Sequence, residues 1–317
     1  MQSYLKTRPV WIQLLMFIGM AMGIFMVVSL VGMAILSSMT GISMFEMTNV
    51  DKWGDNPKIL TYVRGMLLVQ FLGLFLIPSL LFAYFSDPEP LQFIGLRKPS
   101  HVIYWVIAIL ILVLAIPLVE YTGLLNRKIN FGPVQPWMQS MEDDAAKQIK
   151  FMLSRRTIGE LLTNIIFIAV FAGVGEELFF RGILQRMFIR ATKNPWLGII
   201  FTAILFSAMH IQFFGFFPRL ILGVLLGALY WYSGSLIVTI IAHIFYDAFF
   251  ITLAYFQPQI IENAETSLFQ NSMLPILALL SAALVAFLVW LMKKYSTTSY
   301  IDVYKNDSLN KHEDFSF

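Results

Sequence analysis

The sequence predicts an all-α fold, a polytopic membrane helical bundle of about eight transmembrane helices, and three observations predict it. The chain of 317 residues is 58% hydrophobic and 13% charged, against roughly 45–50% apolar and about 25% charged for soluble domains. Its mean hydropathy is +0.73. Apolar runs long enough for a hydrocarbon core about 30 Å thick recur along the whole length, and no long polar segment interrupts them.

Taken in order, the candidate spans are Val10 to Leu36, Leu60 to Phe85, Val102 to Leu124, Ile158 to Met187, Trp196 to Phe214, Leu220 to Tyr232, Leu236 to Phe256 and Met273 to Met292. The first run is too long for a cleaved signal segment and reads as a retained helix. The fourth exceeds one straight crossing, and Gly173 and Gly175 offer a bend or a close approach. Gly223 and Gly227 in the short sixth run, like Gly19 and Gly23 in the first, form a small-xxx-small pattern that lets helix backbones pack closely.

The connector from Leu125 to Arg156 holds a charged, partly apolar stretch, Met138 to Leu153, that reads as a helix lying on the membrane surface. The tail after Lys294 is polar and reads as disordered. These features divide one structural domain into residues 1–157, a motif-bearing core at 158–256, a last span within 257–293 and the tail at 294–317. Basic residues on the two sides nearly balance, so charge gives only a weak vote on orientation. The absence of an internal repeat argues against a transporter built from two halves.

Composition also limits the chemistry. Cysteine is absent, which removes disulfides, thiolate nucleophiles and cysteine metal sites. Of the four histidines, His101 and His312 lie in polar connectors, leaving His210 and His243. Ser207 and Ser233 lack a Gly-x-Ser-x-Gly context, so serine nucleophilic catalysis is poorly supported. The net charge of +3 indicates little about partners. Membrane lipids are expected around the chain, and no nucleic acid is.

Charge inside an apolar run is costly, by about 2.5–3.5 kcal/mol for an Asp, Lys or Arg at a helix centre, and three runs of one stretch carry the group Glu176, Glu177, Arg181, His210, His243 and Asp247. Glu177 and Arg181 stand at i and i+4 and can pair, whereas Glu176 is rotated by about 100°. One carboxylate is thus neutralised and the other stays available to take a proton from water. Counting from the turn at Asn194-Pro195, Glu176 lies 18 residues before Asn194 and His210 lies 16 after it. At about 1.5 Å per residue the two reach levels within about 3 Å of each other. His243 and Asp247 stack one turn apart on the seventh run. Each group alone has a bland reading as packing or a structural ion pair; Arg64 and Glu120, near helix ends, are explained by snorkelling. Three motif-bearing runs together point to a site that activates water.

The order Glu-Glu-x-x-x-Arg (Glu176, Glu177, Arg181), Phe-x-x-x-His (Phe206, His210) and His-x-x-x-Asp (His243, Asp247) resembles the CPBP family, also called ABI, of CAAX prenyl endopeptidases and bacteriocin-processing or immunity proteins. The likeness covers roughly Ile158 to Phe256. It implies a general base at Glu176 acting with His210, and oxyanion or cage roles for His243 and Asp247, with Glu177, Arg181 and Phe206 as structural support. The eukaryotic prenyl endopeptidases carry Asn where Asp247 stands, and an ionised Asp cannot donate to an oxyanion.

The family is usually described as metalloprotease. Glu176, His210 and His243 would be the zinc ligands, while a metal-free glutamate and histidine pair activating water stands equally open. The implied activity is intramembrane endopeptidase action on a lipophilic or membrane-associated peptide, in the manner of CAAX C-terminal processing or of bacteriocin processing and immunity, in a bacterial cytoplasmic membrane. Substrate and oligomeric state are not readable. A proton-coupled transporter and a non-catalytic immunity or scaffold protein are the alternatives.

Overall fold

The computed structural model describes residues 4–262, 268–270, 272–300 and 303. It is helical, and no strand occurs among the described residues. Among the described residues nine longer helices define the bundle: α1 (Val10–Thr40), α2 (Pro57–Ser86), α3 (Ile103–Arg127), α4 (Gln135–Met152), α5 (Ile158–Thr192), α6 (Pro195–Ala208), α7 (Phe213–Ser233), α8 (Leu236–Phe256) and α9 (Leu274–Tyr295). Seven of them, all but α4 and α6, are long and apolar enough to cross a membrane. The protein is therefore a multi-pass membrane protein. Large apolar side chains on the outer faces, such as Leu15 and Met26 of α1 and Leu279 and Phe287 of α9, are exposed, as a lipid-facing surface requires.

The expected fifth span is where sequence and structure part. Trp196 to Phe214 does not form one crossing: α6 ends at Ala208 after 14 residues, about 21 Å at 1.5 Å per residue. The chain then turns through Met209–Gln212, and α7 starts at Phe213, seven residues before the expected Leu220. Ile211 adopts φ 53°, a left-handed conformation that costs a β-branched residue about 1–2 kcal/mol and that reverses the chain directly after His210.

The beginning of α6 is well specified. Lys193 ends α5 in the left-handed region, Asn194 Oδ1 accepts the backbone N–H groups of Trp196 (2.9 Å) and Leu197 (3.2 Å), and Pro195 occupies the first helical position. The result is a tight antiparallel hairpin of α5 and α6.

Glycines set the closest approaches. A Cβ on Gly173 would stand 2.5 Å from Ile244 Cγ1 and 3.1 Å from the Ile244 backbone nitrogen, and one on Gly175 would meet Phe75 of α2 at 2.9 Å. The pair admits two neighbouring helices to the middle of α5. Gly223 faces the Ala203 backbone of α6, and Gly227 faces Gln185 of α5 and Ile199 of α6, so the small-residue pattern packs as expected. Gly19 and Gly23 do not: a Cβ there would meet nothing within 4 Å, and their face of α1 packs on no described part of the chain.

Two polar side chains read as snorkelling have protein partners. Arg64 of α2 bonds Glu160 and Asn164 of α5, the latter at 2.7 Å, and Glu120 Oε1 of α3 accepts the Leu268 backbone N–H at 2.8 Å. Burial inside the bundle makes such pairing necessary. The amphipathic connector is helical, as α4. The expected disordered tail lies outside the described residues beyond Tyr300 and Val303.

Candidate active site

The centre of the bundle is built around a buried ion pair. Arg181 Nη1 donates to Glu177 Oε1 at 2.6 Å, with both side chains fully buried. The segment carrying them, Glu177–Gln185, winds as a π-helix, a widened form frequent at functional positions. Arg181 Nη2 also donates to the Gly223 carbonyl of α7 at 3.1 Å, and its guanidinium lies 4.6 Å from the centre of the Phe206 ring. The absence of a side chain on Gly223 gives the arginine access to that carbonyl. Phe206 in turn meets the His210 ring edge-on at 5.2 Å and that of His243 at 6.2 Å.

His243 stands between two carboxylates. Its Nδ1 donates to Glu177 Oε1 at 2.9 Å, and Nε2 lies 3.4 Å from Asp247 Oδ2. Glu177, expected only as the partner of Arg181, therefore holds two helices, α5 and α8. The nearness of Ile244 to Gly173 is what lets the neighbouring His243 reach it.

Glu176 and His210 are outside this hydrogen-bonded group but share its cavity. They line a cavity of about 330 Å³ together with Phe206, Arg219, His243, Tyr246 and Asp247, and with apolar side chains including Leu112 and Leu226. No hydrogen bond from a described residue reaches the Glu176 carboxyl group. His210 is displayed from the turn after α6, not from within a membrane helix as expected. Its Nδ1 donates to the Phe206 carbonyl at 2.9 Å, because a carbonyl can only accept. Nε2 of the neutral ring is then an acceptor. Non-helical backbone of this kind is tolerated at membrane depth where it lines a cavity.

The turn is well braced. Ser207 Oγ donates to the Phe216 carbonyl at 2.6 Å. The buried amide of Asn126, from α3, donates to the Phe213 carbonyl and accepts the Phe217 N–H, each at 2.9 Å.

The zinc set named from the sequence does not form a metal-binding group. Among the described residues no three His, Asp or Glu side chains are arranged to hold an ion, and both nitrogens of His243 face carboxylates.

Sequence reasoning missed Arg219. With the sixth run placed at Leu220, the arginine fell outside it. Once α7 begins at Phe213, Arg219 becomes a cation inside an apolar helix and meets the same criterion that singled out Arg181. Tyr246, between the two residues of the His-x-x-x-Asp motif, also lines the cavity.

The described residues thus form a membrane helical bundle in which a glutamate and a histidine line one cavity. Residues 158–249 match the family described as Type II CAAX prenyl endopeptidase Rce1-like, so the likeness to that family falls on the motif-bearing core. The chain is also similar to the uncharacterized protein YpbD of Bacillus subtilis (strain 168), 29% identical over 121 residues that make up 37% of this chain and 57% of that protein. It thus spans little more than half the length of the curated relative it matches. No solved structure matches the chain.

Proposed function

We propose that this protein is an intramembrane endopeptidase that hydrolyses a peptide bond of a lipophilic, membrane-associated substrate by a water molecule activated at Glu176 and His210. The observation that carries the reading is the division of labour between adjacent glutamates. Glu177 is consumed by Arg181 and His243, while Glu176 opens onto the cavity shared with His210.

The chemistry follows from the acceptors. A water donating one O–H to Glu176 and the other to Nε2 of His210 turns its lone pairs toward an incoming carbonyl. As its oxygen bonds to the carbonyl carbon, Glu176 takes the proton and the carbonyl π electrons move onto oxygen. Collapse restores the C=O bond, breaks the C–N bond and returns the proton to the leaving amine. General-base help of this kind is worth about 10²–10⁴-fold, and no covalent enzyme intermediate forms. The apolar lining, including Leu112, Leu222 and Leu226, suits a lipophilic segment and keeps bulk water out. CAAX-type C-terminal processing and processing of a bacteriocin-like peptide precursor both supply such segments, and a bacterial cytoplasmic membrane is the setting we assign.

Terminal-peptide mass spectrometry on membranes from cells expressing the wild-type chain or Glu176→Gln tests the proposal. New peptide termini that depend on Glu176, with equal amounts of folded protein, are expected; identical termini in the two samples would sink the hydrolytic reading.

A further inference from the structure

The proposed hydrolysis needs a donor for the negative charge that develops on the carbonyl oxygen, and the groups implied for that task are committed elsewhere. His243 is bonded through Nδ1 to Glu177 and turns Nε2 to Asp247. An ionised Asp247 offers acceptors only, and Arg181 is sealed behind Glu177 and the Gly223 carbonyl. Among the described residues lining the cavity, the remaining permanently charged donor is Arg219.

We propose that Arg219 is a catalytic residue of this site, whose guanidinium stabilises the oxyanion formed when the activated water adds to the scissile carbonyl. The proposal rests on the hydrolytic reading above and adds a group that neither the family motifs nor their spacing contains.

Three features argue for it. First, the guanidinium is held from one edge: Nη1 donates to the Gln212 carbonyl at 2.9 Å and Nη2 to Gln212 Oε1. Five N–H donors in a fixed fork leave others for substrate. Second, Gln212 is two residues beyond His210, so the turn that displays the imidazole also aims the arginine, and the Asn126 amide fastens the start of α7 behind it. Gly215 belongs to the same cradle, since a Cβ there would stand 2.8 Å from the guanidinium. Third, the charge is poised. Arg219 lines the same cavity as Glu176 and His210, and in a site closed to bulk water a fixed cation aimed at developing charge needs no reorganisation during reaction.

The bonds balance without further reactants. The oxyanion draws its electrons from the carbonyl π bond, Arg219 donates hydrogen bonds without losing a proton, and the proton taken by Glu176 leaves with the amine.

The test uses the full chain in proteoliposomes and an internally quenched peptide carrying a cleavage sequence found in the terminal-peptide experiment, prepared with free and with amidated C-termini. For Arg219→Met we expect kcat to fall about 10²–10³-fold, KM to change less than threefold, and both peptides to suffer alike; Arg219→Lys should recover part of kcat. Should Arg219→Met fail to fold, Gln212→Ala, which loosens the guanidinium and keeps its charge, is expected to lower kcat with KM unchanged. Unchanged kcat in the folded variants overturns the proposal, as does a loss confined to KM and to the free-carboxyl peptide, which would make Arg219 a substrate-carboxylate receptor. Absence of any Glu176-dependent cleavage by the wild-type chain overturns the hydrolytic reading itself and the oxyanion role with it.

Discussion

His243 of α8 donates through Nδ1 to Glu177 of α5 across 2.9 Å, at a carboxylate oxygen that also receives Arg181. The contact joins two of the three motifs through a side chain that faces away from Glu176, and it separates a structural carboxylate from one left open to chemistry.

Breaking that centre leaves a charge buried without its partner, which costs about 3–5 kcal/mol. Arg181→Met and Glu177→Gln are each expected to lower the unfolding midpoint in detergent by an amount of that order. The double variant should lose less than the sum of the two, because no orphaned charge remains. Additive losses in a double-mutant cycle would show that the pair is not coupled.

Among the described residues His210 makes a single side-chain hydrogen bond, to the Phe206 carbonyl, so its loss should touch chemistry more than folding. His210→Phe is expected to reduce formation of Glu176-dependent termini about 10²–10⁴-fold, with the melting temperature within a few degrees of wild type. Full cleavage by this variant would remove His210 from the reaction.

Glycine positions give a paired control. Gly173→Ala places a methyl group 3.1 Å from the Ile244 backbone nitrogen, where overpacking typically costs about 1–3 kcal/mol, and the shift of α8 should weaken cleavage through His243. Gly19→Ala, with nothing within 4 Å, should keep or raise stability, by up to about 1 kcal/mol. Thermal unfolding of the two variants side by side reads the difference, and equal stability would contradict the close approach of α5 and α8.

At the end of α2, Asp87 supplies a pH dependence that can be signed. Partial burial alone would raise its carboxyl group's pKa, but hydrogen bonds from Lys6 Nζ (2.7 Å) and the Glu89 N–H (3.0 Å), with the charges of Lys6 and Arg186, bring it below the ordinary value. A depressed folded pKa contributes stability above the unfolded value of about 4, lost as pH falls through the lower folded one. The melting-temperature gap between wild type and Asp87→Asn should therefore be constant from neutral pH to about pH 5 and close below about pH 4. A gap that persists unchanged to the lowest pH at which the protein melts would contradict the linkage.

The sequence by itself determined the membrane class, the three motif-bearing segments and the nearness in depth of Glu176 and His210, since hydropathy, helical rise and the cost of intramembrane charge are local or additive properties. Pairing of Glu177 with Arg181 was legible for the same reason, as an i,i+4 relation along one helix. Only the tertiary structure decided that His243 belongs to Glu177, that α6 stops short and presents His210 from a strained turn, and that Arg219 and Asn126 stand around the cavity. Each of these depends on how closely two helices approach, which at Gly173 and Gly223 is set by the shape of a distant partner. Composition and periodicity report which segments are apolar and which way their faces point, whereas the identity of what a segment touches is fixed by packing across the bundle.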